Sequence, residues 1–287
     1  MPPPLARSLA SQLSPLSGTS GTSRLTATGD PLEIAIVRPG NEVRLTVDPV
    51  PNSGPETRLR ICRDRVALPR KARTIEAELA GLRPAPGLRY GAWLGLRCGK
   101  RGVQSKLYLE APADNRWAAL EAWWAGHPPI LTRRGARPVM AGLDPHREGV
   151  EFYQSLDGLC RRSLALILDR AGMPDRAGAV IDLLSVLRDR TLRHELLFDE
   201  CGFSIAWTAP GAACAVTLYF IADALLGPPE RAASAIRTAG RLNGWDMSLY
   251  DRLASPPRPY HTLIGITVAP GRPAALSVHL AAAGGGS

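Results

Sequence analysis

The chain has 287 residues, of which 45% are hydrophobic, so it can bury the core of one large domain or of two ordinary ones. Its formal net charge of +9 points to an anionic partner: nucleic acid, a membrane surface or a phosphorylated small molecule. Only three of the 35 basic residues are lysines, which indicates a general enrichment in arginine. Composition therefore excludes a disordered chain but does not identify the partner.

The two ends of the chain differ from its middle. Residues 1–24 are rich in Pro, Ser, Gly and Thr, lack the apolar segment of a secretory signal and are predicted to form a flexible leader. Residues 283–287 are predicted to be a disordered tail. No apolar run approaches about 18 residues, so no membrane insertion is expected. The five scattered cysteines form no CxxC or Cys/His spacing, which favours reduced thiols in a cytoplasmic protein without a zinc site.

A β-hairpin pattern recurs five times between these ends. Each pair of apolar runs is joined by a reversal containing Gly together with Pro, Asn or a basic residue, as tight turns require. The ten predicted strands are residues 32–37, 43–47, 89–98, 103–109, 138–143, 150–154, 202–208, 213–220, 261–268 and 275–280.

Helical patterns separate the hairpins. Apolar residues at helical spacing predict helices over residues 74–82, 115–125, 156–171, 175–187, 229–242 and 247–253. A hairpin-plus-helix unit recurring at intervals of roughly 45–65 residues is typical of stacked units in one architecture. We therefore predict a single domain over residues 25–282.

The second strand of each hairpin carries two residues that share one face, because positions i and i+2 of a strand project the same way. If the ten strands pair in sequence order, they close into an antiparallel barrel with a polar lumen and an apolar exterior covered by helices. A barrel of that size leaves room for a ligand chamber. The five pairs are Arg44/Thr46, Lys106/Tyr108, Glu151/Tyr153, Thr217/Tyr219 and Ser277/His279.

Short segments of these strands resemble the dimethylallyltryptophan synthase type of aromatic prenyltransferase, also called the ABBA or PT-barrel family. The resemblance extends over about residues 30–282 and is carried by residues 31–36, 43–49, 106–108, 260–265 and 276–280. It implies an α+β fold, a ten-stranded antiparallel barrel of five hairpin-plus-helix units with the helices outside. It also implies transfer of a short prenyl group, dimethylallyl above all, from its diphosphate to an electron-rich aromatic acceptor. The acceptor could be an indole or a phenol, in a small molecule or a peptide.

The chemistry of this reaction explains the residue types at the matching positions. Loss of diphosphate needs cations, and the allylic carbocation needs electron-rich walls that do not react with it. The resemblance implies Glu33 as the base that takes the acceptor's proton. It implies a diphosphate-binding set of Arg44, Lys106, Tyr108, Tyr153 and Tyr219, with Thr217 and His279 as possible additional residues of the lumen.

A DDxxD aspartate cluster is absent from the sequence, which disfavours the metal-bridged mechanism of prenyl synthases. The resemblance implies that a metal is dispensable. No cofactor is expected beyond the prenyl diphosphate co-substrate.

The third hairpin departs from the family pattern. The family usually has basic residues at two positions where this chain has Gly149 and Glu151. A carboxylate beside the expected diphosphate site would repel the diphosphate unless it is neutralised. Arg147 or Arg97 could compensate for it.

Two other classes of function remain open from the sequence. A degenerate barrel that binds an isoprenoid or lipid without turnover is consistent with Glu151 and the incomplete basic set. A nucleic-acid-binding protein is consistent only with the charge. The basic run of this chain, within residues 58–73, contains no interleaved aromatic residues. We interpret that run as the solvated face of a helix or loop. The run comprises Arg58, Arg60, Arg63, Arg65, Arg70, Lys71 and Arg73.

Overall fold

A computed structural model describes residues 22–26, 29–40, 42–81, 88–99, 102–112, 116–126, 135–145, 149–192, 196, 198–254 and 260–281 of the chain. The predicted leader falls mainly on residues 1–21 and the predicted tail on residues 283–287, and both of these stretches lie outside the described residues. Ser23 is buried, and its hydroxyl donates a hydrogen bond of 2.7 Å to Asp48. This hydrogen bond attaches Ser23 to the residue that follows the strand Glu42–Val47.

Ten antiparallel strands form a closed barrel in sequence order. Each strand pairs with its neighbours in the chain, and β1 closes the ring on β10 with Glu33 opposite Ala281. The strands are β1 Leu32–Arg38, β2 Glu42–Val47, β3 Ala92–Gly99, β4 Gly102–Glu110, β5 Arg137–Asp144, β6 Gly149–Leu156, β7 Cys201–Ala209, β8 Ala212–Ile221, β9 Tyr260–Val268 and β10 Ala275–Ala281. The predicted architecture and all five hairpins are confirmed.

Helices cover the outside of the barrel. Alternation along each strand sends aliphatic side chains outward, as Leu94 and Leu96 of β3 show, and these join the helices in one buried apolar cluster. Within the described residues the α-helices are α1 Pro55–Arg65, α2 Arg70–Gly81, α3 Arg116–Ala125, α4 Arg161–Arg170, α5 Ala177–Arg188, α6 Ala222–Leu226, α7 Pro229–Leu242 and α8 Ser248–Leu253. No helix in these described stretches combines the length and apolarity needed to cross a membrane.

The helix predictions differ from the structure in two instructive places. The helix predicted from residue 156 begins at Arg161, because Leu156 is still paired in β6 and the chain must leave the sheet first. Helix α1 was not among the predicted helices, since its sequence is dominated by arginines rather than by an apolar stripe. Proline at the start and Glu56 in the first turn are ordinary signals of a helix N-terminus.

Arg58 on α1 corrects the interpretation of the basic run as solvated. Its side chain is 6% exposed and forms an ion pair with Asp48, with 2.7 Å between Nε and Oδ1. Its terminal nitrogens donate hydrogen bonds to the carbonyl oxygens of Tyr90 at 2.7 Å, Pro51 at 2.9 Å and Ser53 at 3.0 Å. The guanidinium thus joins α1 to the segments that precede β3 and follow β2. The exposed members of the run, such as Arg60, are solvated as expected.

We predict that Arg58→Met lowers the free energy of unfolding by about 3–5 kcal/mol, because it leaves the Asp48 carboxylate buried without its counter-ion. Urea denaturation measures the loss. The matched control is Arg60→Met on the same helix, whose side chain is exposed and which should change stability by about 0.5 kcal/mol or less. Equal effects of the two substitutions would contradict a structural role for the Arg58 ion pair.

Candidate active site

The lumen contains a chamber of about 650 Å³ that opens at the end of the barrel opposite the hairpin turns. Its rim includes exposed charged residues, among them Arg137, Asp157 and Glu200. Deeper in the wall, Trp93 stacks on Tyr90 with ring centroids 3.9 Å apart and an interplanar angle of 8°. The chamber therefore has an aromatic side wall that the sequence analysis did not identify.

Four rings on the even-numbered strands form a continuous aromatic belt, which consists of Tyr108, Tyr153, Tyr219 and His279. Successive ring centroids are 5.8 Å, 5.9 Å and 6.2 Å apart. All four rings line the chamber. Burial raises the pKa of Tyr153 and of Tyr219, and the nearby carboxylate of Glu151 raises both further. These two phenols therefore stay neutral at physiological pH.

Glu33 lies at the end of this belt and is 7% exposed. Its Oε2 is 2.9 Å from Nδ1 of His279, and its Oε1 accepts a hydrogen bond of 2.6 Å from the hydroxyl of Thr262. Burial alone would raise the pKa of Glu33, but the charge and hydrogen bond of His279 and the hydroxyl of Thr262 outweigh burial and lower it. Glu33 is thus an oriented, ionised carboxylate that faces the chamber.

Charged residues form an ion-pair layer that lies between the aromatic belt and the hairpin turns. We define this layer as Glu42, Arg44, Arg97, Lys106, Asp144 and Glu151. Glu42 lies between two arginines, 2.6 Å from Nε of Arg44 and 3.2 Å from Nε of Arg97. Asp144 lies 3.9 Å from Arg97, and Lys106 pairs with Glu151. Three cations thus face three carboxylates, so the layer is neutral when all six are ionised.

Arg44 connects this layer to the chamber, because it also lines the chamber wall. Burial opposes its charge, yet the carboxylate of Glu42 outweighs burial and raises the pKa of Arg44 above its ordinary value. Arg44 is therefore a permanent cation at the floor of the chamber.

Glu151 is the hub of the hydrogen bonds beneath the belt. Lys106 Nζ donates to its Oε2, and Ser204 Oγ donates to its Oε1 at 2.5 Å. Lys106 also donates to the hydroxyl of Tyr153 at 3.0 Å, and Ser204 lies 3.5 Å from the hydroxyl of Tyr219. Burial would raise the pKa of Glu151, but Lys106, Ser204 and Tyr153 together lower it to about 2.

Two glycines make room for the functional side chains of β4. A Cβ on Gly95 would lie 2.6 Å from Cε2 of Tyr108, and a Cβ on Gly142 would overlap Cε of Lys106. Real Cβ atoms do not approach other atoms so closely. The neighbouring strands therefore lack side chains at the positions that Lys106 and Tyr108 fill.

The structure brings together most of the residues that the resemblance selected. Arg44, Lys106 and the three tyrosines converge, with Lys106 Nζ 4.9 Å from the ring centroid of Tyr108 and 5.3 Å from that of Tyr153. His279 belongs to the belt, and Thr217 lies on the same lumen face as Ser204 and Tyr219 but closer to the hairpin turns than the chamber, where it hydrogen-bonds Thr267 at 2.9 Å. Of the two proposed compensating cations, Arg97 lies in the ion-pair layer, and Arg147 is outside the described residues.

Sequence reasoning missed several polar residues of the site: Glu42, Thr262, Ser204 and Asp144. Alternation offered a signal for the first of these, since Glu42 stands two residues before Arg44 and shares its face. Within the described parts of the chain, no cluster of three or more His, Cys, Asp or Glu side chains has the arrangement of a metal site.

Comparison with known proteins finds similarity to solved structures. No protein-family model matches the sequence, and neither does any curated protein. Solved structures do match over nearly the whole chain. PriB bound to its product diphosphate superposes with a TM-score of 0.75 at 19% identity, covering 98% of this chain and 91% of PriB.

The chain has the PT-barrel fold.

Two further PT barrels support this assignment. Streptomyces coelicolor 5-dimethylallyl tryptophan synthase in complex with DMASPP and Trp has a TM-score of 0.72 and 18% identity, covering 98% of this chain and 89% of that one. NotF in complex with brevianamide F and DMSPP has a TM-score of 0.68 and 13% identity, covering 97% of this chain and 88% of that one. The resemblance drawn from short sequence segments is confirmed at the level of fold.

The low pKa of Glu151 predicts acid sensitivity of this PT barrel. Its folded-state value of about 2 lies below the ordinary 4.5, so the ion pair stabilises the fold fully above about pH 4.5 and loses its effect as the pH falls toward 2. The stability difference between wild type and Glu151→Gln should shrink by roughly 3 kcal/mol from pH 6 to pH 2, as measured by urea unfolding. If the unfolding free energies of the two proteins changed with pH in parallel, this ion pair would not contribute to acid sensitivity.

Proposed function

We propose that this protein is an aromatic prenyltransferase that moves a short prenyl group, dimethylallyl above all, from its diphosphate to an electron-rich aromatic acceptor. One observation carries the proposal. A single chamber has the cation Arg44 at its floor, a belt of neutral aromatic rings around its wall and the ionised carboxylate of Glu33 at the end of that belt. These groups match the three demands of the reaction: a leaving anion, a carbocation and a proton to remove.

Arg44 and Lys106 would hold the diphosphate. As the bond between the prenyl carbon and the diphosphate oxygen breaks, both bonding electrons go to the diphosphate, and the cations stabilise the growing negative charge. The prenyl cation that remains would lie against Tyr108, Tyr153 and Tyr219. Their faces attract a cation without donating a bond to it, because burial and Glu151 keep Tyr153 and Tyr219 protonated.

Glu33 would receive the proton that the acceptor ring loses once its π electrons have attacked the cation. The hydrogen bonds of Thr262 and His279 hold its carboxylate in place, and a carboxylate oxygen retains a lone pair for an incoming proton. His279 thereby acts as a positioning residue for Glu33. The reaction is balanced, since the acceptor gains the prenyl group, Glu33 gains the proton and the diphosphate leaves.

The acceptor we propose is an indole or a phenol, in a small molecule or a peptide. Trp93 lines the chamber and is supported from behind by Tyr90, which suits a flat aromatic acceptor, and about 650 Å³ accommodates a ring together with a prenyl group. The structurally similar synthase from Streptomyces coelicolor is bound to DMASPP and Trp, and NotF is bound to brevianamide F and DMSPP. These neighbours support the same acceptor class here.

We further propose that transfer needs neither a metal ion nor a cofactor, because side-chain cations supply the charge that a metal would. Transfer should therefore persist in excess EDTA. The second candidate function is a barrel that binds an isoprenoid without turnover, and the pairing of Lys106 with Glu151 favours it. Incubation with dimethylallyl diphosphate and a panel of indoles and phenols separates the two, because only the transferase adds the mass of one prenyl unit to an acceptor.

Glu33→Gln should lower the transfer rate by roughly 10²–10⁴-fold, the usual contribution of a general base, while inorganic diphosphate still binds. Single-turnover kinetics and isothermal titration calorimetry measure the two quantities. The matched control is Glu56→Gln on the exposed surface of α1, which should transfer at the wild-type rate. Full activity of Glu33→Gln would exclude Glu33 as the base.

The aromatic belt should act through its rings more than through its hydroxyl groups. Tyr219→Phe keeps the ring and should transfer within about threefold of wild type. Tyr219→Leu removes a cation–π contact worth about 2 kcal/mol for a desolvated pair, which corresponds to a loss of roughly 30-fold in kcat. Equal rates for the two variants, with both folded by circular dichroism, would argue against stabilisation of a carbocation at Tyr219.

A further inference from the structure

Lys106 already has an anion in the structure. Its ammonium donates to Oε2 of Glu151, and Ser204 donates to the second carboxylate oxygen at 2.5 Å. Lys106 and Ser204 thus direct their polar hydrogens at a carboxylate, in the manner in which donors surround a phosphate oxygen. Glu151 therefore holds the position that an anionic leaving group would need to occupy at Lys106.

The rest of the ion-pair layer offers no free cation to take over this role. Arg44 is bonded to Glu42, and Arg97 is shared between Glu42 and Asp144. An incoming diphosphate thus meets a floor whose charges are already balanced. It must compete for Lys106 with a carboxylate that is attached to the protein.

We propose that Glu151 is an internal competitor of diphosphate for Lys106, which weakens binding of the prenyl donor and speeds release of the diphosphate product. This inference rests on the proposed function, because it names what regulates occupancy of that same site. Binding of the donor turns Lys106 from Glu151 to the diphosphate. When the prenyl group has left, Glu151 returns to Lys106 and displaces the product.

Protonation does not relieve this competition at physiological pH. The groups that face Glu151 are Lys106 on β4, Tyr153 on β6 and Ser204 on β7, with Tyr219 on β8 beside Ser204. Lys106, Ser204 and Tyr153 together lower the pKa of Glu151 to about 2. The carboxylate is therefore ionised whenever the donor arrives. Displacement by a stronger anion is the route that remains.

Competition gives the site an advantage in turnover. Product release limits the rate of many enzymes, and diphosphate bound to several unpaired cations would leave slowly. When Glu151 pairs with Lys106 again, it lowers the affinity of the site for both the prenyl donor and the diphosphate product. The cost is a higher KM for the prenyl diphosphate.

The test measures binding of inorganic diphosphate by isothermal titration calorimetry, which needs no turnover. Glu151→Gln keeps the shape and removes the charge, and it should tighten diphosphate binding at least tenfold. The constant for product inhibition by diphosphate should fall by the same factor. Glu151→Asp serves as the second variant. It keeps the charge but is one methylene too short to hold Lys106, so it should also tighten binding, by a smaller factor.

A double-mutant cycle with Lys106→Met then distinguishes competition from general repulsion. If Glu151 acts by holding Lys106, Glu151→Gln should change diphosphate binding by less than threefold once Lys106 is Met. If Glu151→Gln still tightened diphosphate binding to the full extent in the Lys106→Met background, the charge of Glu151 would act on diphosphate by long-range repulsion. That result, or unchanged or weaker binding in Glu151→Gln, overturns the proposal. So does an absence of binding in every variant.

Failure of this inference is separable from failure of the proposed function. Wild-type transfer of a prenyl group together with unaltered diphosphate binding in Glu151→Gln would reject the role of Glu151 alone. The expected binding pattern without any transfer to the acceptor panel would reject the transferase and keep Glu151 as a competitor for anions.

Discussion

Closure of the sheet is the constraint on which the rest of this structure depends. The ring is completed by the pairing of β1 with β10, which brings Glu33 beside His279 across 246 positions of sequence. A closed ring leaves no unpaired edge, so every strand has a lumen side whose residues are fixed by alternation. The chamber, the aromatic belt and the ion-pair layer are all consequences of that alternation. An open sheet with the same sequence would scatter these groups over a surface.

Charge is arranged along the barrel axis in a definite order. Paired cations and carboxylates lie toward the hairpin turns, neutral rings lie above them, and the carboxylate of Glu33 sits at the end of the belt. In the proposed reaction the diphosphate would bind at the deep end, and the aromatic acceptor would contact the rings nearer the opening. The surplus of positive charge in the sequence contributes little here, because the deep layer is balanced and Arg58 is committed to a structural ion pair outside the lumen.

The sequence was sufficient for the architecture because the relevant signals are local. Turn residues and period-two alternation located all ten strands, and the same alternation put Arg44, Lys106 and Tyr108 on one face. What could not be predicted depends on contacts between distant strands. The pairing of Lys106 with Glu151 crosses 45 positions, and the burial of Arg58 depends on carbonyl groups that only the folded chain assembles. Thr217 shares the lumen face with Tyr219 by alternation, but it lies two residues closer to the hairpin turn, where it hydrogen-bonds Thr267 of the next strand instead of lining the chamber.

Gly95 and Gly142 flank β4, one on each side, and each leaves the volume that a side chain of β4 occupies. The side chains of β4 can therefore adopt their positions only because β3 and β5 have glycine at the facing positions. A single methyl group at either position would have to share space with Tyr108 or Lys106. Redesign of the barrel interior can therefore enlarge residues elsewhere along the wall, but at either of these two positions the facing side chain of β4 must also move or be changed.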